Sequence, residues 1–268
     1  SFGAYTWEFE VGTFVDIDPP RIESVFPQSD STHPRNVVIQ INFNEAMNPL
    51  AVSGDTSRGF NTIAVRNQNG EVVAGRFSVS NQYRTAEFIT NDLCGTNSCG
   101  QDVFCLPGSA KFTVQLRAAS VSSQPPAAVF PYDGIIDAAG NSMDGNVDGS
   151  AQGSPADDFS WSFQTTNEID LRAPVVATVT PLPFATTVPL DSAISLQFNK
   201  PLCMKTINRH NIQIPDLGSY QLLSENDGRQ TTVRVQHGGL SPDTTYTPVV
   251  ASNVRDIYQN CYQPCVGP

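Results

Sequence analysis

The sequence predicts an all-β chain made of two antiparallel β-sandwiches in tandem, preceded by a spare strand. Three observations predict it. Short stretches alternate apolar and polar side chains with the period of two that a strand imposes, and almost nothing reads as helix. Pro (20 residues), Gly (19), Asn and Asp interrupt these stretches at the close spacing of sandwich turns. One set of landmarks also occurs twice, and 268 residues suffice for two domains that each bury a core.

From the N-terminus, Tyr5-Thr6-Trp7-Glu8-Phe9 alternates aromatic and polar residues, so Tyr5, Trp7 and Phe9 share one face of a strand. Val37-Val38-Ile39-Gln40-Ile41-Asn42-Phe43 is the next alternating strand, and Phe159-Ser160-Trp161-Ser162-Phe163 repeats the first one aromatic for aromatic. Ile194-Ser195-Leu196-Gln197-Phe198 and Thr231-Thr232-Val233-Arg234-Val235 supply strands of the second half. Thirteen residues after each tryptophan stands a proline, Pro20 or Pro174, and seven further on another, Pro27 or Pro181. The following strand ends in Phe43-Asn44-Glu45 in one copy and Phe198-Asn199-Lys200 in the other. Leu106-Pro107-Gly108-Ser109-Ala110-Lys111-Phe112 then parallels Leu240-Ser241-Pro242-Asp243-Thr244-Thr245-Tyr246, and Asp137-Ala138-Ala139-Gly140-Asn141 parallels Asp256-Ile257-Tyr258-Gln259-Asn260.

These landmarks resemble a bacterial Ig-like domain common in S-layer proteins and other large prokaryotic surface proteins. That pattern opens on Asp and Pro before a strand, passes through a Phe-Ser/Asn-Glu-Pro/Ala-Met turn and a Leu-x-Pro-x-x-x-Tyr segment, continues with Asp-x-x-Gly-Asn, and closes on Tyr-x-Trp-x-Phe. Phe43-Asn44-Glu45-Ala46-Met47 fits the turn, whereas the second copy departs from the pattern at Lys200 and at Gln259. The resemblance implies two tandem Ig-like sandwiches: residues 1–18 an orphan closing strand, 19–168 a first domain, and 169–268 a second domain lacking its last strand. A short Pro-bearing linker is expected at Asn167–Pro174.

An open sandwich exposes unpaired backbone and the core that its aromatics should cover. Burying Tyr5, Trp7 and Phe9 would stabilise such a site by about 1.5–3 kcal/mol each. Three arrangements follow. Residues 2–11 enter the second domain of a neighbouring copy, building a head-to-tail filament or S-layer-like assembly of identical subunits. Alternatively the chain is cut from a longer tandem array, a stalk or a binding module such as an adhesin or carbohydrate-binding domain; or the strand folds back within its own chain. The first residue, Ser1 rather than Met, suggests a processed product or a piece of a longer chain.

The net charge of -11, with 15 Lys and Arg and no basic cluster, argues against a nucleic-acid partner. No apolar run approaches the roughly 18 residues of a membrane-inserted helix. Six cysteines favour an oxidising location, extracellular or at the cell surface. Three of them (Cys94, Cys99, Cys105) fall in the first domain and three (Cys203, Cys261, Cys265) in the second, so either one bridge crosses between domains or subunits or two thiols stay free. Asp144, Asn146 and Asp148 alternate before Gly149, with Asp157 close behind, a partial match to a Ca²⁺ loop whose competitor is a solvated Asp-Gly loop. No catalytic residues are assigned: His33, His210 and His237 have no nucleophile at motif spacing and read as surface residues, and no paired carboxylates or phosphate loop stand out.

Overall fold

The computed structural model describes residues 15–123 and 126–263, so Tyr5, Trp7, Phe9 and Cys265 lie outside the described residues. Within them the helical content is one turn at Pro49–Val52 and two 3-10 turns at Thr56–Arg58 and Met204–Thr206.

The first half contributes β1 (Ile22–Phe26), β2 (Thr32–His33), β3 (Ile39–Phe43), β4 (Gly54–Asp55), β5 (Ile63–Asn67), β6 (Gly75–Ser80), β7 (Thr85–Thr90), β8 (Leu93–Thr96), β9 (Asp102–Phe104), β10 (Lys111–Leu116), β11 (Val121–Ser123), β12 (Pro126–Ala128) and β13 (Phe159–Thr165). One sheet runs β1-β3-β7-β6-β4 and the other β2-β13-β10-β5, with the hairpins β8-β9 and β11-β12 appended. Alternation explains the core: Ile39, Ile41 and Phe43 of β3, Phe88 of β7, Phe112, Val114 and Leu116 of β10, and Trp161 and Phe163 of β13 converge in one hydrophobic cluster.

The second half repeats this plan with β14 (Val176–Thr180), β15 (Ile194–Phe198), β16 (Ile212–Gln213), β17 (Tyr220–Asn226), β18 (Thr231–His237) and β19 (Val249–Val250). Its main sheet, β14-β15-β18-β17, copies β1-β3-β7-β6, and β16-β19 copies β5-β10. Even an irregularity is duplicated: the β1/β3 register slips between Ile22 and Ser24, and the β14/β15 register slips at the matching place, between Val176 and Thr178.

The halves meet over a buried surface rather than at the short linker expected from sequence. Gln40 and Glu87, the polar members of β3 and β7, should by alternation face solvent, yet both are buried. The second half covers them: the Gln40 amide donates to the Leu202 carbonyl, and Glu87 accepts from the N–H groups of Met204 (2.7 Å) and Lys205 (3.2 Å). The Val38 N–H donates to the Ile257 carbonyl, and the Ile257 side chain joins the first half's core.

Candidate functional site

The two halves differ at one sheet edge. In the first, β10 is flanked by β5 and by β13, with Phe112 opposite Phe163 and Val114 opposite Trp161. The Trp161 indole donates to the Pro27 carbonyl at 2.9 Å, and the loop after β1 closes over β13: the Asp30 N–H donates to the Ser162 carbonyl, and β2 lies parallel to β13. Both sides of the aromatic strand are thereby paired.

In the second half, no described strand takes the place of β13. The segment 245–250 corresponds to β10, but among the described residues only Val249–Val250 of it pairs, and only with β16. Where Val114 is fully buried, its counterpart Pro248 is exposed, and where Phe112 is buried, Tyr246 is half-buried. The loop after Pro181, counterpart of the one closing over β13, presents Leu182 at 74% exposure and Phe184 fully exposed. The interior holds two clusters, one around Phe198 and Val233 and one around Ile194 and Tyr220, with Leu222 packed against both. Among the described residues this edge has no further strand partner, and an extended segment can add to such an edge by β-augmentation. The segment named for that role, Tyr5, Trp7 and Phe9, falls outside the described residues.

The cysteines stiffen the junction. Cys94 pairs with Cys105 inside the first half, and Cys99 pairs with Cys261 across the halves, which is the cross-domain option the uneven count left open. Cys203 is a buried free thiol whose pKa burial and the adjacent Glu87 raise, so it is unreactive while folded. Around the cross-bridge the Gln259 side chain bonds the Phe104 N–H and carbonyl and the Asn36 carbonyl, and the Asn97 amide donates to the Gln259 carbonyl. His33, expected at the surface, instead packs into this junction with its Nδ1 2.8 Å from the Tyr258 hydroxyl, and burial lowers its pKa.

Burial also raises the Glu87 carboxyl above its ordinary 4.5, against the bonds from Cys203, Gln40, Lys205 and Met204. A folded pKa above the unfolded one means that the protonated form favours folding; the contribution is full below about pH 4.5 and is lost as pH rises through the folded value. The melting-temperature gap between the native chain and the non-titrating Glu87→Gln variant should therefore shift in favour of the native chain as pH falls from 7 to 5. A gap independent of pH would place the folded pKa of Glu87 at its ordinary value.

The Asp-rich loop uses its oxygens locally. Asp144 accepts from the N–H groups of Asp148 and Gly149, and Asn146 from that of Asp148. Asp148 accepts from Ser150 and the Gln152 amide, while Asp157 accepts from Gln152 and Gly153 through one oxygen and has its other oxygen buried without a recorded partner. Among the described residues the group of three acidic ligands within 4.8 Å of one another is a different one, Asp16, Glu45 and Asp137. Sequence spacing missed it because its members lie on three separate segments.

The fold and this edge define an all-β, Ig-like class of protein. Residues 170–265 match the bacterial Ig-like domain family. No curated protein matches the chain. Among solved structures, the N-terminal part of the bacterial S-layer protein SbsC aligns with 87% of this chain at 13% identity and a TM-score of 0.30. The alignment spans 44% of that structure, less than half its length.

Proposed function

We propose that the protein is a non-enzymatic structural subunit of an extracellular, cell-surface filament or S-layer-like assembly, and that copies join head to tail. Residues Tyr5, Trp7 and Phe9 of one copy occupy the edge at residues 245–250 of the next. The observation that carries this reading is the contrast between the two halves: one fold, closed by the Phe159–Thr165 strand in the first and, among the described residues, without a strand at the same edge in the second. Tyr5-Thr6-Trp7-Glu8-Phe9 matches that closing strand aromatic for aromatic. By the same alignment Trp7 is the counterpart of Trp161, and Pro181 that of Pro27. Such a contact is heterologous and propagates into a fibre. The surface location is supported by the bacterial Ig-like match and by two disulfides, which persist outside reducing compartments.

Deleting residues 1–12 tests the reading. Size exclusion and electron microscopy should then show monomers where the intact chain forms filaments; filaments that survive the deletion overturn it.

A further inference from the structure

The junction inside the chain joins two surfaces, and each of them occurs a second time, uncovered, on the other half. On the receiving side stand Val38, Gln40 and Glu87, all buried against the second half. Strand register assigns their counterparts. Gln40 lies opposite Glu87 as Ser195 lies opposite Arg234, and Val38 immediately precedes β3 as Ala193 precedes β15. Ala193 is exposed, Ser195 is half-buried, and the Arg234 side chain is 61% exposed.

On the covering side the second half presents the turn Leu202–Lys205 and the loop Asp256–Asn260, and the first half builds the same frame bond for bond. Met47 bridges Asp137 as Leu202 bridges Asp256. The Asn48 N–H donates to the Ile136 carbonyl as that of Cys203 does to Arg255, and the Ala138 N–H to the Ala46 carbonyl as that of Ile257 does to Pro201. The Asn141 amide holds the Asp16 carbonyl as the Asn260 amide holds that of Asp170. Met204 and Ile257 are buried in the junction, whereas their counterparts Pro49 and Ala138 are exposed, and Leu50, in the place of Lys205, is 85% exposed.

The differences between the two copies match each other across the joint. Glu87 needs donors, and the turn above it supplies the N–H groups of Met204 and Lys205. The first half's turn offers neither: Pro49 has no N–H, and that of Leu50 is taken by the Asn48 side chain at 3.0 Å. The strand position that would lie beneath such a turn carries Arg234 in place of Glu87, a donor where an acceptor would find no partner. The carboxylates of Asp16, Glu45 and Asp137 gather beside the same turn, which complements an arginine. Spacing agrees as well, since 13 residues separate Trp7 from Pro20 and Trp161 from Pro174.

We infer that the face formed by Ala193, Ser195 and Arg234 receives the first half of a second copy, through Asn48, Pro49, Leu50 and Ala138, so that the joint between copies repeats the joint within each chain. This rests on the head-to-tail reading above and adds a body-to-body contact to the donated strand. The Ala193 N–H takes the Ala138 carbonyl as Val38 takes that of Ile257. Ser142 stands where Cys261 stands, so this second joint has no counterpart of the Cys99–Cys261 bridge. The contact is heterologous and leaves the same two surfaces free at the ends of any assembly.

The test is the full-length double variant Ala138→Cys/Ala193→Cys, mildly oxidised at a concentration where the native chain forms filaments and run on a non-reducing denaturing gel. It should give a ladder beyond the dimer, while each single variant gives the native pattern. Arg234→Glu supplies a second measurement that needs no engineered bond. Its only recorded ion pair, with Glu225, is exposed, so the variant should melt as the native chain does, yet need at least roughly tenfold more protein to form filaments, because a carboxylate would be buried without a donor. Arg234→Lys should assemble nearly as the native chain does. Native filaments with no ladder in the double variant and no effect of Arg234→Glu overturn the body-to-body joint while leaving strand donation, which the deletion of residues 1–12 reads separately. A native chain that forms no filaments overturns both.

Discussion

Trp161→Ala is expected to lower stability by about 3–5 kcal/mol, the range for truncating a large buried aromatic, and to lower the melting temperature by about 10 °C or more. Trp161 is 5% exposed, packs opposite Val114 and donates its indole N–H to the Pro27 carbonyl, so the variant leaves both a cavity and an unmet buried acceptor. The effect is intramolecular and should not depend on protein concentration. Trp7→Ala, the same change in the matching sequence, is expected to behave oppositely. It should alter the melting of the unassembled chain by no more than about 0.5 kcal/mol and yet remove filaments, because a central aromatic anchor carries a disproportionate share of an interface's energy. Thermal melting below the assembly concentration, followed by electron microscopy above it, separates the two. A Trp7→Ala chain that still forms filaments would exclude Trp7 as the joining residue.

The second large effect concerns the cross-domain bridge. Cys99 and Cys261 are 162 residues apart, so their bond closes a loop whose entropy in the unfolded chain corresponds to about 5 kcal/mol. Cys94 and Cys105 are 11 apart, and the same account gives about 3 kcal/mol. The double variant Cys99→Ser/Cys261→Ser should therefore lose more stability than Cys94→Ser/Cys105→Ser, and should melt in two steps rather than one. The bridge and the buried Gln40, Glu87 and Gln259 bonds tie the two halves together. Scanning calorimetry in non-reducing buffer reads this directly; a single transition unchanged by the double substitution would show that the polar contacts alone couple the halves.

Much of the fold was legible because strand patterns are local. Alternation in Val37–Phe43 and Phe159–Phe163 needs only neighbouring residues to be read, and the duplicated Pro, Phe-Asn and Asp-x-x-x-Asn landmarks tie the two copies together. The junction was not legible for the converse reason. Gln40 and Glu87 carry the polar signature of a solvent-facing side, and nothing near them in sequence says that the turn at Leu202–Lys205 will cover them. His33 was misplaced at the surface for the same reason, its partner Tyr258 being 225 residues away.

The candidate sites divide in the same way. The Asp144–Asp157 loop drew attention because calcium loops are recognised by spacing along the chain, and in the fold those side chains cap their own loop. Asp16, Glu45 and Asp137 are far apart in sequence and gather only when the chain entering β1, the turn after β3 and the loop after β12 come together. The amino-acid order by itself determined the strand periodicity, the two-fold repetition and the odd cysteine count of each half, since these depend on adjacent residues and on counting. Tertiary structure alone decided which cysteine crosses between the halves, which polar side chains are buried and where the opposing charges meet, because burial and Coulomb energy depend on distance through space rather than along the chain.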